Sequence, residues 1–343
     1  MAALARSVLV TGSNRGIGLE LVRQLAASPQ PPQHIFATCR DPDGPRGKAL
    51  RELSAQHPSI RLVQLADTVD LPSIRRAVQV VESCLEGQGL NLLINNAGIG
   101  SHATLQSVDS QEMLAAFATN VVGPLQVAKE FLPLLEKAAK GAQKTGLSCS
   151  RAAIVNVSSK VGSIGLCLGV LEAPMYPYRA SKVRGWGRHW GPWRGAHGSL
   201  QPAPGHPSPA WSSKCEHAER QPRLCPCSTA GQSPFPTSTA LQLQNAPLPP
   251  MCTQLPEPSV VLAWPCLFQA AQNMVTRCLA AELRDKGILC MAIHPGWVKT
   301  DMGTEQAPMT VERSVQGILA VLGSLSQETS GAFLDWEGNS LPW

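Results

Sequence analysis

The sequence has no long apolar run, no block of like charge and no cysteine framework. No stretch approaches the ~20 apolar residues that a membrane helix needs, so no membrane partner is expected. The 343 residues carry a formal net charge of +5, with charged residues at 15%. Without a dense basic run, that charge makes no case for nucleic acid or for an anionic membrane surface. The segment from Met1 to Gly12 offers too short an apolar run for an export signal. The 11 cysteines are scattered without disulfide or zinc spacing. Together these absences make a cytoplasmic setting with free thiols the expectation.

What is present divides the chain sharply. Hydrophobic residues make up 43%, which suits a globular core. Residues 183–269, however, hold 15 of the 29 prolines, 5 of the 8 tryptophans and 5 of the 11 cysteines. That segment shows neither helical nor strand periodicity, and its composition predicts disorder. Cys215, His217, Cys225 and Cys227 fall inside it, but their spacing fits no strong zinc pattern, and no metal is expected.

On either side of the segment, strands and helices alternate. Short apolar runs predict strands at Ser7–Val10, His34–Cys39, Ile60–Leu65, Leu92–Ile94, Ala153–Val157, Ile288–Ile293 and Ala332–Leu334. Helical periodicity covers Leu19–Ala27, Lys48–Gln56, Ser73 to about Glu86, Val121–Lys140, Asn273–Arg284 and Val311–Leu325. Such alternation predicts an α/β fold: a single Rossmann-type, doubly wound parallel sheet with helices on both faces. One dinucleotide-binding catalytic domain spans 1–343 in this reading, with its core in 7–182 and 270–343. Ligands of such sheets sit at the carboxyl ends of the strands.

The first strand runs into Thr11-Gly12-Ser13-Asn14-Arg15-Gly16-Ile17-Gly18. Glycine belongs where a backbone turns tightly and lets a pyrophosphate approach, and the free amides of the following helix favour that phosphate. The second strand ends at Cys39-Arg40-Asp41. An acidic residue at this tip favours the ribose hydroxyl of NAD, and an arginine favours the 2′-phosphate of NADP. Arg15 and Arg40 could clamp that phosphate, while Asp41 could instead pair with Arg40. Asp67 could accept from the adenine amino group. Asn95-Asn96-Ala97-Gly98 closes the fourth strand, where asparagine side chains can tie strand ends together.

Tyr178 and Lys182 lie four residues apart, on one face of a helix. A nearby ammonium lowers the pKa of a phenol and fits it for proton transfer. In order along the chain stand the glycine turn, Asn95-Asn96-Ala97-Gly98, Asn120, Val157-Ser158-Ser159, Tyr178-x-x-x-Lys182 and Pro295-Gly296-Trp297-Val298-Lys299-Thr300. This series resembles the short-chain dehydrogenase/reductase family, and its phrasing is most similar to the carbonyl reductase, sniffer and C-factor-like branch. The resemblance covers residues 7–182 and 270–343. It implies an NADPH-dependent reduction of a carbonyl to an alcohol. Tyr178 would be the proton donor, and Lys182 would lower its pKa and hold the nicotinamide ribose. Asn120 would anchor a relay water. Ser159, in preference to Ser158, would bond the substrate carbonyl. Gly12 to Gly18, Arg40, Asp67, Asn96, Ala97 and Gly98 would cradle the cofactor, with Pro295, Gly296, Val298 and Thr300 at its nicotinamide end. The short stretch between Thr300 and the last helix suggests an open site for a small carbonyl substrate.

The insert enters one residue after Lys182. Without it the flanks read Tyr-Arg-Ala-Ser-Lys-Ala-Ala-Gln-Asn-Met-Val-Thr-Arg, a single amphipathic helix. Its edges suit retained-intron sequence: Val183-Arg184 can be encoded as GTGAGG, like a splice donor, and Leu267-Phe268-Gln269 as a pyrimidine run ending in CAG. In many members of the family this helix forms part of the dimer interface, so the resemblance implies that a homodimer, where one forms, is perturbed by the insert. The alternative reading is an impaired splice isoform that binds cofactor or a partner without turnover.

Overall fold

The computed structural model describes residues 3–142, 146–163, 165–166, 175–182 and 271–343. The proline-rich segment 183–269, with Cys215, His217, Cys225 and Cys227, lies outside the described residues.

Seven strands form one parallel sheet: β1 (Ser7–Val10), β2 (His34–Cys39), β3 (Ile60–Gln64), β4 (Leu92–Asn95), β5 (Ala153–Val157), β6 (Leu289–His294) and β7 (Phe333–Asp335). Their order is β3-β2-β1-β4-β5-β6-β7, so the chain reverses direction of growth between β1 and β4. A crevice opens at such a reversal, beyond the carboxyl ends of the strands. Every residue of β1, β4 and β6 is buried. That burial explains why these strands read as unbroken apolar runs rather than as alternation: a parallel sheet is covered on both faces.

The helices are α1 (Gly16–Ala26), α2 (Lys48–Gln56), α3 (Leu71–Cys84), α4 (Ser110–Phe117), α5 (Gly123–Gly141), α6 (Tyr176–Lys182), α7 (Ala271–Glu282) and α8 (Val311–Ser324). Two apolar layers show how they are shared between the faces. Val8 and Val10 of β1 pack with Leu21 of α1, Leu50 of α2 and Ile318 of α8. Leu9, which points the other way, packs with Ile74 of α3, Phe131 of α5 and Ala280 of α7. Burying such a side chain contributes roughly 1.5–3 kcal/mol, so the two layers hold the sheet between the helices.

Several helical boundaries differ from the sequence expectation. Helix α1 begins at Gly16 rather than Leu19, because first-turn residues need no intrahelical acceptor for their amides and glycine is tolerated there. Helix α4 lies ahead of the expected start at Val121; Asp109 caps it by accepting from the Glu112 amide at 2.7 Å. Between α4 and α5, Ala118–Val122 form a π turn, a feature that inserts an extra residue into a helix and recurs at functional sites. Among the described residues, no helix is long and apolar enough to cross a membrane.

Candidate active site

The glycine turn is built by backbone demands. Gly12 and Gly16 adopt φ of +67° and +53°, where a side chain is strained. A Cβ on Gly18 would run into the Gly12 carbonyl, so α1 rests directly on the turn. Asn96 ties this turn to β4: its Nδ2 donates to the carbonyls of Thr11 and Gly12 at 2.9 and 3.2 Å. Thr11 Oγ1 returns the link by accepting the amides of Asn96 and Ala97, each at 3.0 Å. Ser13 is turned inward, where its hydroxyl donates to Val10 O at 2.8 Å.

A cleft of about 840 Å³ opens above these strand ends. The sequence-derived residues Gly12, Asn14, Arg15, Gly16, Ile17, Gly18, Arg40, Asp67, Asn96, Ala97, Gly98, Tyr178, Pro295 and Thr300 all line it. The end of α1 that faces it has no side-chain cap and no acid in its first turn. Its free amides therefore leave the positive end of the helix open to an anion. Asp41 is not spent on Arg40: its Oδ1 accepts the Gly44 amide at 2.9 Å. Arg15 forms an exposed ion pair with Asp301. Asp67 Oδ1 accepts the Val69 amide at 3.1 Å.

Gly296 and Val298 stand apart from this lining. Gly296, at φ +90°, packs on Met309 and Trp336, and Val298 is buried in a bridge to Met309. Both shape the loop rather than its cleft surface. The cleft also holds Lys299 of the Pro295–Thr300 phrase, and Arg46, Thr68 and Asp301, which the sequence did not single out as site residues. Arg46 follows β2 in a loop without a motif. Asp301 directly follows the Pro295–Thr300 phrase, but nothing in the sequence pointed to its contact with Arg15.

The other end of the cleft belongs to α6 and the loop after β5. Ser159 stands beside Tyr178, close enough for its hydroxyl to act on the phenol. Burial raises the Tyr178 phenol above its usual value of 10, and the Ser159 hydroxyl opposes that rise. Ser159 Oγ also accepts the Val161 amide at 3.4 Å. Ser158 lines the cleft while its hydroxyl donates inward to Asn273 Oδ1 at 2.7 Å, and Ser159, the serine expected to meet the substrate, lies outside that lining. Lys182 is the last residue of α6, and its side chain lies outside the described residues.

Asn120 sits in the π turn, 0% exposed. Its Oδ1 accepts Ile99 N, and its Nδ2 donates to Ile99 O and to Ser181 Oγ, each at 2.9 Å. Ser181 in turn donates to Tyr178 O at 2.8 Å. Both Nδ2 hydrogens of Asn120 and one lone pair of its Oδ1 are thus engaged with protein partners. Behind the site, Asn95 Nδ2 donates to Asn156 Oδ1 at 2.9 Å, and Asn156 Nδ2 donates to Thr276 Oγ1 at 2.8 Å. Asparagine side chains therefore tie β4, β5 and α7 together. Among the described residues, no group of three His, Cys, Asp or Glu is placed to hold a metal.

Comparison with known proteins places this geometry. A sequence model described as short chain dehydrogenase matches residues 6–184. The structure of an NADPH-bound carbonyl reductase from chicken fatty liver aligns with a TM-score of 0.71 at 36% identity, covering 99% of this chain and 94% of that one. Carbonyl reductase Sniffer of Drosophila melanogaster aligns with a TM-score of 0.70 at 31% identity, covering 99% of this chain and 100% of that one. C-signal of Myxococcus xanthus is 43% identical over 77 residues, which are 22% of this chain and 46% of that protein.

Proposed function

The chain belongs to the short-chain dehydrogenase family of oxidoreductases, in its carbonyl reductase and sniffer-like branch, and from that premise we propose that it reduces a small carbonyl compound with NADPH. The observation that carries this reading is one cleft with two furnished ends. A glycine turn and uncapped helix stand at one end, and Tyr178, with Ser159 beside it, at the other. The residues fit a dinucleotide. Gly12 and Gly16 leave the turn bare, Arg40 faces the cleft free of Asp41, and the first turn of α1 carries no acid to repel a phosphate.

The cofactor, when bound, supplies the hydride. The chain positions the substrate and manages the proton. Ser159 orients the carbonyl by donating to its oxygen. Tyr178 then gives its proton to that same oxygen. Burial favours the neutral phenol, so at neutral pH the acid form is the one in place. Lys182 would make the phenolate left behind less costly, and Asn120 would hold a water that returns the proton. Residues 1–343 act in this reading as one catalytic domain interrupted by residues 183–269, in the cytoplasm, with homodimerisation perturbed by the insert.

Arg40→Asp tests the cofactor. Hydrogen bonds to charged groups contribute about 1.5–3 kcal/mol, and each 1.4 kcal/mol is tenfold. The expected result is an NADPH affinity lower by about tenfold or more, with NADH affinity changed little, measured by fluorescence titration. Equal losses for both cofactors would remove the 2′-phosphate role.

A second reading has its own observation. Helix α6 ends at Lys182 after seven residues, and its continuation, α7, resumes at Ala271. An interruption beside Lys182 could leave a chain that binds cofactor without turnover, because small misplacements of a catalytic group are costly. NADPH binding and dicarbonyl reduction by the full chain and by a chain lacking 183–269 separate the two. Turnover by the full chain supports the first reading. Binding alone, with turnover gained on deletion, supports the second. Absence of turnover in both counts against the catalytic assignment itself.

A further inference from the structure

The loop that carries Ser159 is pinned from two sides, and one of them is far from the cleft in sequence. On the near side, Arg179 of α6 donates to Val161 O at 3.2 Å, and the Val161 amide is the one that Ser159 accepts. On the far side, Ser163 Oγ donates to Pro342 O at 2.7 Å while accepting the Leu166 amide at 3.2 Å. The Gly165 amide donates to Trp343 O at 3.3 Å. Gly165 also lies so close to Pro342 that a Cβ there would come within 3.0 Å of the proline ring.

The segment that supplies these acceptors is itself anchored to the sheet. Leu334 bridges Ser340 in antiparallel fashion, and the Leu341 amide donates to Phe333 O at 2.8 Å. The Trp343 ring lies 5.4 Å from that of Phe333, which is buried in β7. The guanidinium of Arg277 on α7 stands 5.8 Å over the indole. A path of contacts therefore runs from β7 through Pro342 and Trp343 to Ser163, and along the chain from there to Val161 and Ser159.

We propose that Leu341–Trp343 is a positioning strap for the proposed reaction: docked on β7, it holds the loop after β5 so that Ser159 stays on the phenol of Tyr178. The inference rests on the reading of Ser159 and Tyr178 as the substrate-side pair. Trp343 and Ser163 touch no substrate in this scheme; they act through Ser159. Loops are the mobile parts of a fold, and a site built on one needs such support to keep its geometry.

The test uses the full chain. The sequence has 2 tyrosines, so Tyr176→Phe leaves Tyr178 as the single tyrosine. The Raman doublet of that tyrosine then reports the hydrogen bonding of its phenol directly and without turnover. In this background Trp343→Ala and Ser163→Ala are expected to move the doublet in the direction that Ser159→Ala moves it. Trp343→Phe, which keeps a ring against Phe333, should restore it. With NADPH and an aromatic dicarbonyl, Trp343→Ala should lower kcat roughly tenfold, below the ~100-fold that a 1 Å misplacement can cost. NADPH affinity should stay within about twofold. A doublet unchanged in both Trp343→Ala and Ser163→Ala, whatever happens to the melting temperature, overturns the strap. A doublet that moves in chains that never reduce the dicarbonyl upholds the strap and tells against the carbonyl reductase reading instead.

Discussion

Tyr178→Phe is expected to lower reductive turnover by about 10²- to 10⁴-fold, the range that a positioned general acid contributes. The substitution removes one oxygen and leaves the ring, so packing around α6 is kept. Cofactor affinity should change by less than threefold, because the glycine turn and Arg40 lie at the opposite end of the cleft. Ser159 keeps its place through the Val161 amide and can still orient a carbonyl. What is lost is the proton. A single-turnover measurement of NADPH oxidation with a reactive dicarbonyl checks this, using the most active form of the chain. A rate within threefold of the parent would end the role assigned to the phenol.

The second large effect concerns acid. His294 closes β6 at 5% exposure, and neither ring nitrogen has a hydrogen-bond partner among the described residues. Burial, and then the charge of Lys160, push its pKa down to about 4 from 6.5, with Asp335 opposing. The folded value lies below the unfolded one, so the histidine's contribution is complete above pH 6.5 and is lost as pH falls from there through about 4. By linkage the loss is on the order of 3 kcal/mol, since each pKa unit is worth ~1.4 kcal/mol. His294→Leu removes the titration without breaking a protein hydrogen bond. Urea unfolding of both chains at pH 7 and pH 4 should show the variant losing about 3 kcal/mol less on acidification. Carboxylates common to both chains cancel in that difference. A difference between the chains that stays constant with pH would show that His294 is not the acid-sensitive group.

These two residues differ in how legible they were. Tyr178 was found from a spacing that means little alone and much in the company of the glycine turn, Ser158-Ser159 and the Pro295 phrase. His294 directly precedes that phrase, yet nothing in the sequence marked its ring as buried and unpartnered. The same contrast runs through the site. Gly12 and Gly16 were readable because positive φ demands glycine whatever surrounds it. Asn120 was readable as a residue but its partners were not; Ile99 and Ser181 are set by the π turn and by how α6 packs. Helix α4 escaped notice because its face is weakly apolar, with Leu114 61% and Phe117 43% exposed, although Asp109 and Glu112 marked its start.

By itself the sequence determined whatever rests on neighbours along the chain. Apolar runs made parallel strands, since a strand buried on both faces needs no alternation. Glycines made the turn, and the alternation of strand and helix made the doubly wound sheet. Only the tertiary structure decided which distant groups meet. It brought Arg15 to Asp301, Asn156 to Thr276 and Ser163 to Pro342. Crossover connections return each strand beside another that the local pattern cannot name. A hydrogen bond across the resulting sheet depends on distances of an ångström, which no periodicity records.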